Sequence, residues 1–558
     1  MNFLRKNSIA VILLLGFLFR IFLLKFHWTV GFDEVHYLRL GLIGARDGFA
    51  AMMHPYWPPF YPFLIMLFSK VIANGELAAR MVNIVASTIS VYLIYRICKE
   101  FYSEKIALLA AATYAFYPSL AFESTTVLAE TVYTTLGIAA IWSGWLCLKK
   151  QSFIYAFLVG FWASCAYLAK PEGIYYVMVF VGILMLIMIV KIKAFPKKLP
   201  VFALLSIFGY LLLALPYMFY VKDQMGIWSL SMKFQVNQQF AALAWAKDKS
   251  PEARFSLTED NHYLPTDLAY HEGNFGVLVD QSNPEGREKK VDIGGNLLIK
   301  KYVENFYKIN RVGIPVVLTF APFILIVLGL FGRKWTYDEF LYNGYILMFV
   351  GAYWFVVIPL FHINLRYFEP QLPFVFIWLA LGLMSLKEWI EGTLENIKDI
   401  GWLDFIRKIK LLPVAASAIF LLGFAYVPQF GKIIKRTPIN NDYWADAVEL
   451  KKAGEWLKQH MDGEAIIMTE NKAVEYYAGL LDTRKSVSFP INKDFNRILA
   501  YARYKNVDYM VITDRYKTMF TNLQFLVKKE NVPDALKLVY EDLDPSGVKT
   551  VIYQLIKP

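Results

Sequence analysis

Apolar runs long enough to cross a bilayer recur along the chain, near residues 8–26, 80–98, 104–122, 127–148, 152–169, 171–190, 199–221, 311–332, 341–361, 370–387 and 411–428. A helix of about 17–25 apolar residues spans the hydrocarbon core, so the pattern predicts eleven transmembrane helices. A twelfth apolar run, from Pro58 to Ala73, is short, opens with Pro58, Pro59 and Pro62, and carries Lys70 near its end. Past residue 429 the pattern changes. Residues 443–460 place Trp444, Ala447, Val448, Leu450, Trp456 and Leu457 at helical spacing. Ala465 to Thr469 and Asp508 to Thr513 are short apolar runs, each followed by a helical stretch. Alternating strand and helix predicts a small α/β domain over 429–558. The expected fold class is therefore a polytopic α-helical membrane protein of about 11 transmembrane helices over 1–428, with a C-terminal soluble α/β domain. Two longer stretches interrupt the spans, 27–79 and a polar loop at 222–310. No internal repeat or low-complexity tract is evident.

Charge orients this pattern. If 58–73 does not cross, one side of the membrane holds Arg5, Lys6, Arg96, Lys99, Lys105, Lys149, Lys150, Lys191, Lys193, Lys197, Lys198, Arg333, Lys334, Lys387, Lys398, Arg407, Lys408 and Lys410. The short turns on the other side hold only Lys170 and Arg366, and the 27–79 loop adds Arg39, Arg46 and Lys70. Basic residues mark the cytoplasmic side. Reading 58–73 as a span would invert every later loop. It is expected as a helix lying at the outer interface, which puts 27–79, 222–310 and 429–558 on the extracytoplasmic face.

Composition adds limits. Of 558 residues, 57% are hydrophobic and 19% charged, against about 25% charged in an average soluble chain. The net charge of +12 is accounted for by these loop cations, so no nucleic-acid partner is expected. Cys98, Cys147 and Cys165 lie in or beside apolar runs without a Cys-x-x-Cys pair, so neither a disulfide framework nor a zinc cluster is implied. The first run continues to Phe26 and is followed by bulky His27 and Trp28 where a cleavage site would need small residues. It is read as an uncleaved anchor.

Polar residues near membrane level are costly and often functional, and here they gather on the outer side. Asp33, Glu34 and His36 follow the first span, and His54 precedes the run Pro55-Tyr56-Trp57-Pro58-Pro59-Phe60-Tyr61-Pro62. Arg80 opens the second span. Glu123 and Glu130 flank the next outer turn, and Lys170 and Glu172 another. His362, Arg366, Tyr367 and Glu369 precede the tenth span. Taken singly, each has a plain reading. Asp33 and Glu34 fit a helix N-terminus, Lys170 and Arg366 fit interfacial cations whose stems lie along apolar surface, and the aromatics fit an interfacial belt. Together, acids and cations at one face suit a substrate with an anionic head group and an apolar tail.

Asp33-Glu34-Val35-His36-Tyr37 after an amino-terminal anchor resembles the first-loop motif of protein O-mannosyltransferases and lipid A aminoarabinose transferases, the PMT-like members of the GT-C membrane glycosyltransferases. Further segments in the same order are similar. Trp57-Pro58-Pro59-Phe60-Tyr61-Pro62 resembles a segment in which a basic residue usually precedes the two prolines. Arg80 with Asn83 to Ser87 resembles the Arg-leading second span. Leu128-Ala129-Glu130 resembles a stretch usually closed by Pro, where Thr131 stands here. Ala169-Lys170-Pro171-Glu172-Gly173 and Arg366-Tyr367 with Pro370 and Pro373 resemble two later turns. The resemblance covers roughly residues 1–390.

It implies transfer of a sugar from a polyprenyl-phosphate donor, with inversion, to an acceptor hydroxyl of a protein, lipid or glycan at the outer face of a prokaryotic cell membrane. By its match to the motif, Asp33 is the expected general base. Glu34 would orient donor or acceptor. Lys170, Arg366 and Arg80 would stabilise the leaving lipid phosphate, and His36, His54 and Tyr367 would border the substrate. Glu130 would bind sugar hydroxyls or a divalent cation; metal use varies across the class, and no cofactor is otherwise implied. Two readings of another kind stay open: a lipid-sugar transporter, for which Arg20 inside the first span is the fitting residue, and a non-catalytic membrane assembly subunit.

Overall fold

The computed structural model of the chain describes residues 8–190, 198–226, 228–232, 295–313, 318–360, 365–396, 419–438, 446–481, 485–487, 489, 495–517 and 520–557. Most of the 222–310 loop, the first part of the 411–428 run and His362 lie outside them. The chain divides into two compact units. One comprises Met1–Phe26, Arg80–Tyr217 and Gly294–Arg436; the other comprises His27–Ala79, Met218–Ile293 and Thr437–Pro558.

The first unit is helical. Among the described residues, seven helical segments are long and apolar enough to cross a membrane: Ser8–Phe26, Gly75–Phe101, Glu130–Lys150, Pro171–Val190, Leu199–Met225, Tyr337–Leu360 and Arg366–Thr393. Each coincides with one of the eleven expected runs. The other four runs give shorter pieces. The run at 104–122 is broken into helices Glu104–Ala115 and Pro118–Glu123. Pro118 has no N–H to continue the ladder and holds Tyr117 extended, at φ −67° and ψ 111°.

Small residues let these helices approach closely. A Cβ at Gly329 would collide with the Trp378 carbonyl, and one at Gly382 with the Leu325 carbonyl. The helices Phe320–Phe331 and Leu372–Asn396 therefore pack backbone against backbone at these two glycines. Arg20 is fully buried, and its guanidinium donates to Ser87 Oγ (2.9 Å), Ser124 Oγ (3.0 Å) and the carbonyls of Gly16 and Ala115 (both 2.9 Å). Arg20 thus ties three segments of the unit together.

The second unit contains a five-stranded sheet. Its strands are β1 (Ile467–Thr469), β2 (Ser486–Val487), β3 (Tyr509–Thr513), β4 (Leu536–Leu543) and β5 (Lys549–Leu555), in the order β2-β1-β3-β5-β4. β2, β1 and β3 run parallel; β5 is antiparallel to both β3 and β4. The turn between β4 and β5 is set by Asp544, whose Oδ1 accepts from the N–H groups of Ser546 and Val548 (both 2.9 Å), and by Gly547 at φ +83°. The helix expected over 443–460 forms as Val448–His460 and lays Leu450, Ala453 and Leu457 into the sheet's core with Met468, Met510 and Ile552. Glu449, on the same helix, is buried with Arg515, bonded at 2.5 and 3.0 Å.

In the same unit, the first loop folds into helices Phe32–Asp47 and Phe60–Ser69. Gly41 leaves room for Ile65 between them. Ten residues reach only about 15 Å at 1.5 Å each, half the hydrocarbon thickness, so Phe60–Ser69 is too short to cross.

Candidate functional site

The nine residues singled out in the sequence divide between the units. Asp33, Glu34, His36 and His54 belong to the sheet-bearing unit; Arg80, Glu130, Lys170, Arg366 and Tyr367 belong to the helical unit.

Asp33 and Glu34 lie in the first turn of the helix Phe32–Asp47, whose N-cap is Gly31. A glycine cap offers no side-chain acceptor, and Glu34 supplies one: its Oε2 takes the Gly31 N–H at 2.8 Å. Two acids at a helix N-terminus also match the positive end of the helix dipole. Glu34 is buried by this arrangement, while Asp33 stays half-buried. One turn on, His36 is stacked on Trp57 at 5.1 Å and 20°, and Tyr37 meets Trp57 and Tyr61 edge-on. The run before the prolines thus packs against the acid-bearing helix. His54 turns inward on its own loop, its Nδ1 accepting from the N–H groups of Tyr56 (3.1 Å) and Trp57 (3.3 Å).

The same helix is anchored by a buried ion network. Arg39 Nη1 meets Glu475 Oε2 at 2.6 Å, and its Nε and Nη2 donate to the Leu481 carbonyl at 3.2 and 3.0 Å. Glu475 Oε1 in turn holds Lys472 at 2.7 Å and the Ser486 hydroxyl, and Lys472 also reaches Ser486 Oγ at 3.3 Å. Just before the helix, the Val30 N–H donates to Tyr477 Oη (3.1 Å) and Thr29 Oγ1 to Asp446 (3.1 Å). The helix Lys472–Tyr477, at the C-terminal end of β1, therefore fixes the segment that carries Asp33. No local pattern signals this network, because its partners lie 436 residues apart.

In the helical unit a second charged cluster forms where spans end. Glu130 opens the helix Glu130–Lys150, and Lys170 joins two helices. Arg366 and Tyr367 lie on the turn Leu365–Gln371. Lys170 Nζ donates to Glu130 Oε1 at 3.1 Å, and Arg366 Nε approaches the same oxygen at 3.6 Å. Tyr367 presents its ring to both cations, 4.7 Å from Lys170 and 5.3 Å from Arg366. Burial alone would lower the Lys170 pKa, but the carboxylates of Glu130 and Glu172 outweigh it and hold the ammonium up at about 12. Lys170 is thus a permanent cation. Glu369 feels the charges of Glu123, Glu130, Arg366 and Lys170, so the cluster gathers four acids around two cations. Glu369, Glu123 and Glu172 are visible in the sequence as polar residues at span ends, but nothing there assigns them to this group. Beside it, Gln371 donates to Tyr175 Oη at 2.5 Å, a contact without a sequence signal.

Arg80, the remaining expected cation, is buried and donates Nη1 to the Thr125 carbonyl at 2.7 Å. Three residues on, Asn83 donates to the carbonyls of Thr126 and Leu128. Both shape the turn that leads into Glu130. Among the described residues, no group of three or more His, Cys, Asp or Glu is arranged to hold a metal ion.

Residues 54–220 match the family model of dolichyl-phosphate-mannose-protein mannosyltransferases. This stretch includes His54, Arg80, Glu130 and Lys170 and stops short of Asp33 and Arg366. No curated protein matches the sequence. Among solved structures, the apo oligosaccharyltransferase of Archaeoglobus fulgidus aligns with a TM-score of 0.58 at 14% identity, over 94% of this chain and 72% of its own. The form of that enzyme tethered to an acceptor peptide aligns at 0.57 and 11% identity, over 100% and 75%. ArnT from Cupriavidus metallidurans bound to undecaprenyl phosphate aligns at 0.54 and 11% identity, over 98% of both chains. At these identities the structural likeness speaks for the fold. With the seven apolar helices, it makes the chain a polytopic helical membrane protein with the fold of these transferases, similar over residues 54–220 to the mannosyltransferase family.

Proposed function

We propose that this protein transfers a sugar from a polyprenyl-phosphate donor to an acceptor hydroxyl on the extracytoplasmic face, with inversion at the anomeric carbon. The observation that carries the reading is the Glu130–Lys170–Arg366 cluster: a permanent cation and a partly exposed one, at the ends of apolar helices. An anionic head group on an apolar chain is the ligand such a cluster suits, and ArnT, which shares the fold, was solved with undecaprenyl phosphate.

In the reaction, the acceptor oxygen forms a bond to the anomeric carbon as the bond from that carbon to the phosphate oxygen breaks. Attack opposite the leaving group inverts the centre. A hydroxyl is a weak nucleophile at neutral pH, and a carboxylate within reach takes its proton as attack proceeds. Asp33 is assigned this role by its place in the first-loop motif and because it is the less buried acid of the pair, while Glu34 closes the helix cap. Negative charge grows on the departing phosphate, and Lys170 and Arg366 stabilise it. Tyr367 holds the two cations, and Arg80 shapes the turn before Glu130.

The test is incubation of the purified protein with a panel of polyprenyl-phosphate sugars, following release of lipid phosphate. The wild type is expected to release it from at least one donor. Asp33→Asn is expected to lower the rate by about 10²–10⁴ while donor binding and melting temperature hold. Full activity of that variant on every donor used would remove Asp33 as the base.

A further inference from the structure

The sheet-bearing unit contains a crevice that the transfer reaction does not use. β1 is flanked by β2 on one side and β3 on the other. From β1 the chain passes through the helix Lys472–Tyr477 to β2, then through the helix Phe495–Tyr504 back past β1 to β3. The connections leave β1 and β3 in opposite directions. In open α/β sheets, this switch point at the carboxyl ends of the strands is where ligands bind.

A crevice of about 280 Å³, part of it open to solvent, lies there. It is lined by Thr469, Glu470 and Asn471 at the end of β1, and by Thr513 and Tyr516 at and beyond the end of β3. Its enclosed recess has room for about one water-sized group. Glu470 lines the crevice, and its Oε2 is buried with no hydrogen-bond partner among the described residues. The nearest cation, Lys472, is committed to Glu475 and Ser486. Burial pushes the Glu470 carboxyl up to about 8, with Lys472 only partly opposing it, so at neutral pH the carboxyl retains its proton and both donates and accepts.

The chemistry of the lining selects the ligand class. Among the described residues no Lys or Arg lines the crevice, which disfavours an anion. A single carboxyl does not make a cation site, which needs several oxygen ligands. What remains is an uncharged group. Two hydroxyls, an amide and a phenol border it, each already in a local bond that leaves further hydrogen-bonding capacity. Thr469 Oγ1 accepts from the Asn471 N–H, Thr513 Oγ1 from the Arg515 N–H and Asn471 Oδ1 from the Ala473 N–H, and Asn471 Nδ2 donates to Tyr516 Oη at 2.6 Å. Phe489 and Phe520 form apolar walls. A polar edge with an apolar face is the character of a pyranose ring. We infer that this crevice binds carbohydrate, one sugar hydroxyl entering the recess to bond Glu470. The inference goes beyond the transfer reaction and does not depend on it.

Saturation-transfer NMR on the full-length protein in nanodiscs tests it, with a panel of methyl hexopyranosides and methyl pentopyranosides as probes. At least one glycoside is expected to bind. Glu470→Leu is expected to weaken it at least tenfold, and Glu470→Gln, whose amide also donates and accepts, by less than threefold. Arg366→Gln, a change at a partly exposed cation, should leave the signal unchanged, which separates this site from the charged cluster of the helical unit. Should Glu470→Leu lower the melting temperature, Tyr516→Phe serves in its place, with an expected loss of at least threefold. Absence of binding by every glycoside, wild-type affinity in both Glu470→Leu and Tyr516→Phe, or loss of the signal in Arg366→Gln would each overturn the inference.

Discussion

Two buried ion clusters, one in each unit, use the same residue types to opposite ends. Around Glu475, both carboxylate oxygens are taken, by Arg39 on one side and by Lys472 and Ser486 on the other, and Arg39 spends its remaining donors on the Leu481 carbonyl. The Arg39 and Glu475 side chains are 2% and 1% exposed, and the contacts are short. Around Glu130, one oxygen is shared by Lys170 at 3.1 Å and Arg366 at 3.6 Å, and the Arg366 side chain remains 25% exposed. The first cluster is closed and saturated. The second is looser, with longer contacts and a more exposed Arg366 side chain. The two clusters thus differ not in residue type but in how tightly their contacts are closed and how much solvent their cations meet.

The strongest test of this contrast is at the closed cluster. Removing one partner of a buried ion pair leaves the other charged and desolvated, at a cost of about 3–5 kcal/mol. Arg39→Met should therefore lower the melting temperature markedly. Exchanging the whole network for apolar side chains, as Arg39→Met, Lys472→Met and Glu475→Leu together, should recover most of that loss, because no charge is then left unpaired. If Arg39→Met melts as the wild type does, the network does not hold the first-loop helix, and its saturation has no structural meaning.

How far each cluster can be read from sequence follows from the same difference. Glu130, Lys170 and Arg366 stand out because charge beside an apolar run is costly, and the cost is visible in the pattern itself. The seven longest spans are legible for the same reason. The break at Pro118 could have been read from the proline alone. Arg39 and Glu475 each sit among apolar neighbours, but in short amphipathic stretches rather than membrane-length runs, so nothing local marks them as a pair. The local bonds of His54, whose Nδ1 accepts from the N–H groups of Tyr56 and Trp57, follow from its place before a proline-rich turn. The crevice at Glu470 is a product of strand order, which depends on pairings between distant segments.

The open cluster should respond in activity rather than in stability. Arg366→Gln removes a partly exposed cation, so the melting temperature should hold. The transfer rate should drop by about 10²–10³, the usual cost of losing one electrostatic stabiliser of a developing anion. A variant that loses stability but keeps its turnover would place Arg366 with the structural ions and erase the contrast.

The smallest expected effect sharpens the contrast most, because it asks whether Glu130 competes with the donor. If the lipid phosphate and Glu130 share Lys170, then Glu130→Gln should bind polyprenyl phosphate more tightly at pH 7, by about tenfold or ~1.4 kcal/mol. Binding and turnover should then separate, since a carboxylate that contacts sugar hydroxyls would be lost with the competitor. The variant should also acquire a pH dependence. In the wild type the Lys170 pKa is raised above its ordinary 10.5 to about 12, so its contribution to stability is complete below about 10.5 and is lost only as pH rises through 12. Without Glu130 the largest opposing influence on burial is gone, and burial draws the Lys170 pKa down. Donor binding by Glu130→Gln should therefore weaken at a lower pH than it does in the wild type, as measured by titration with polyprenyl phosphate at several pH values. Weaker binding at pH 7 would instead make Glu130 the template that holds both cations in position, and the cluster would then be a fixed receptor rather than one its ligand must open.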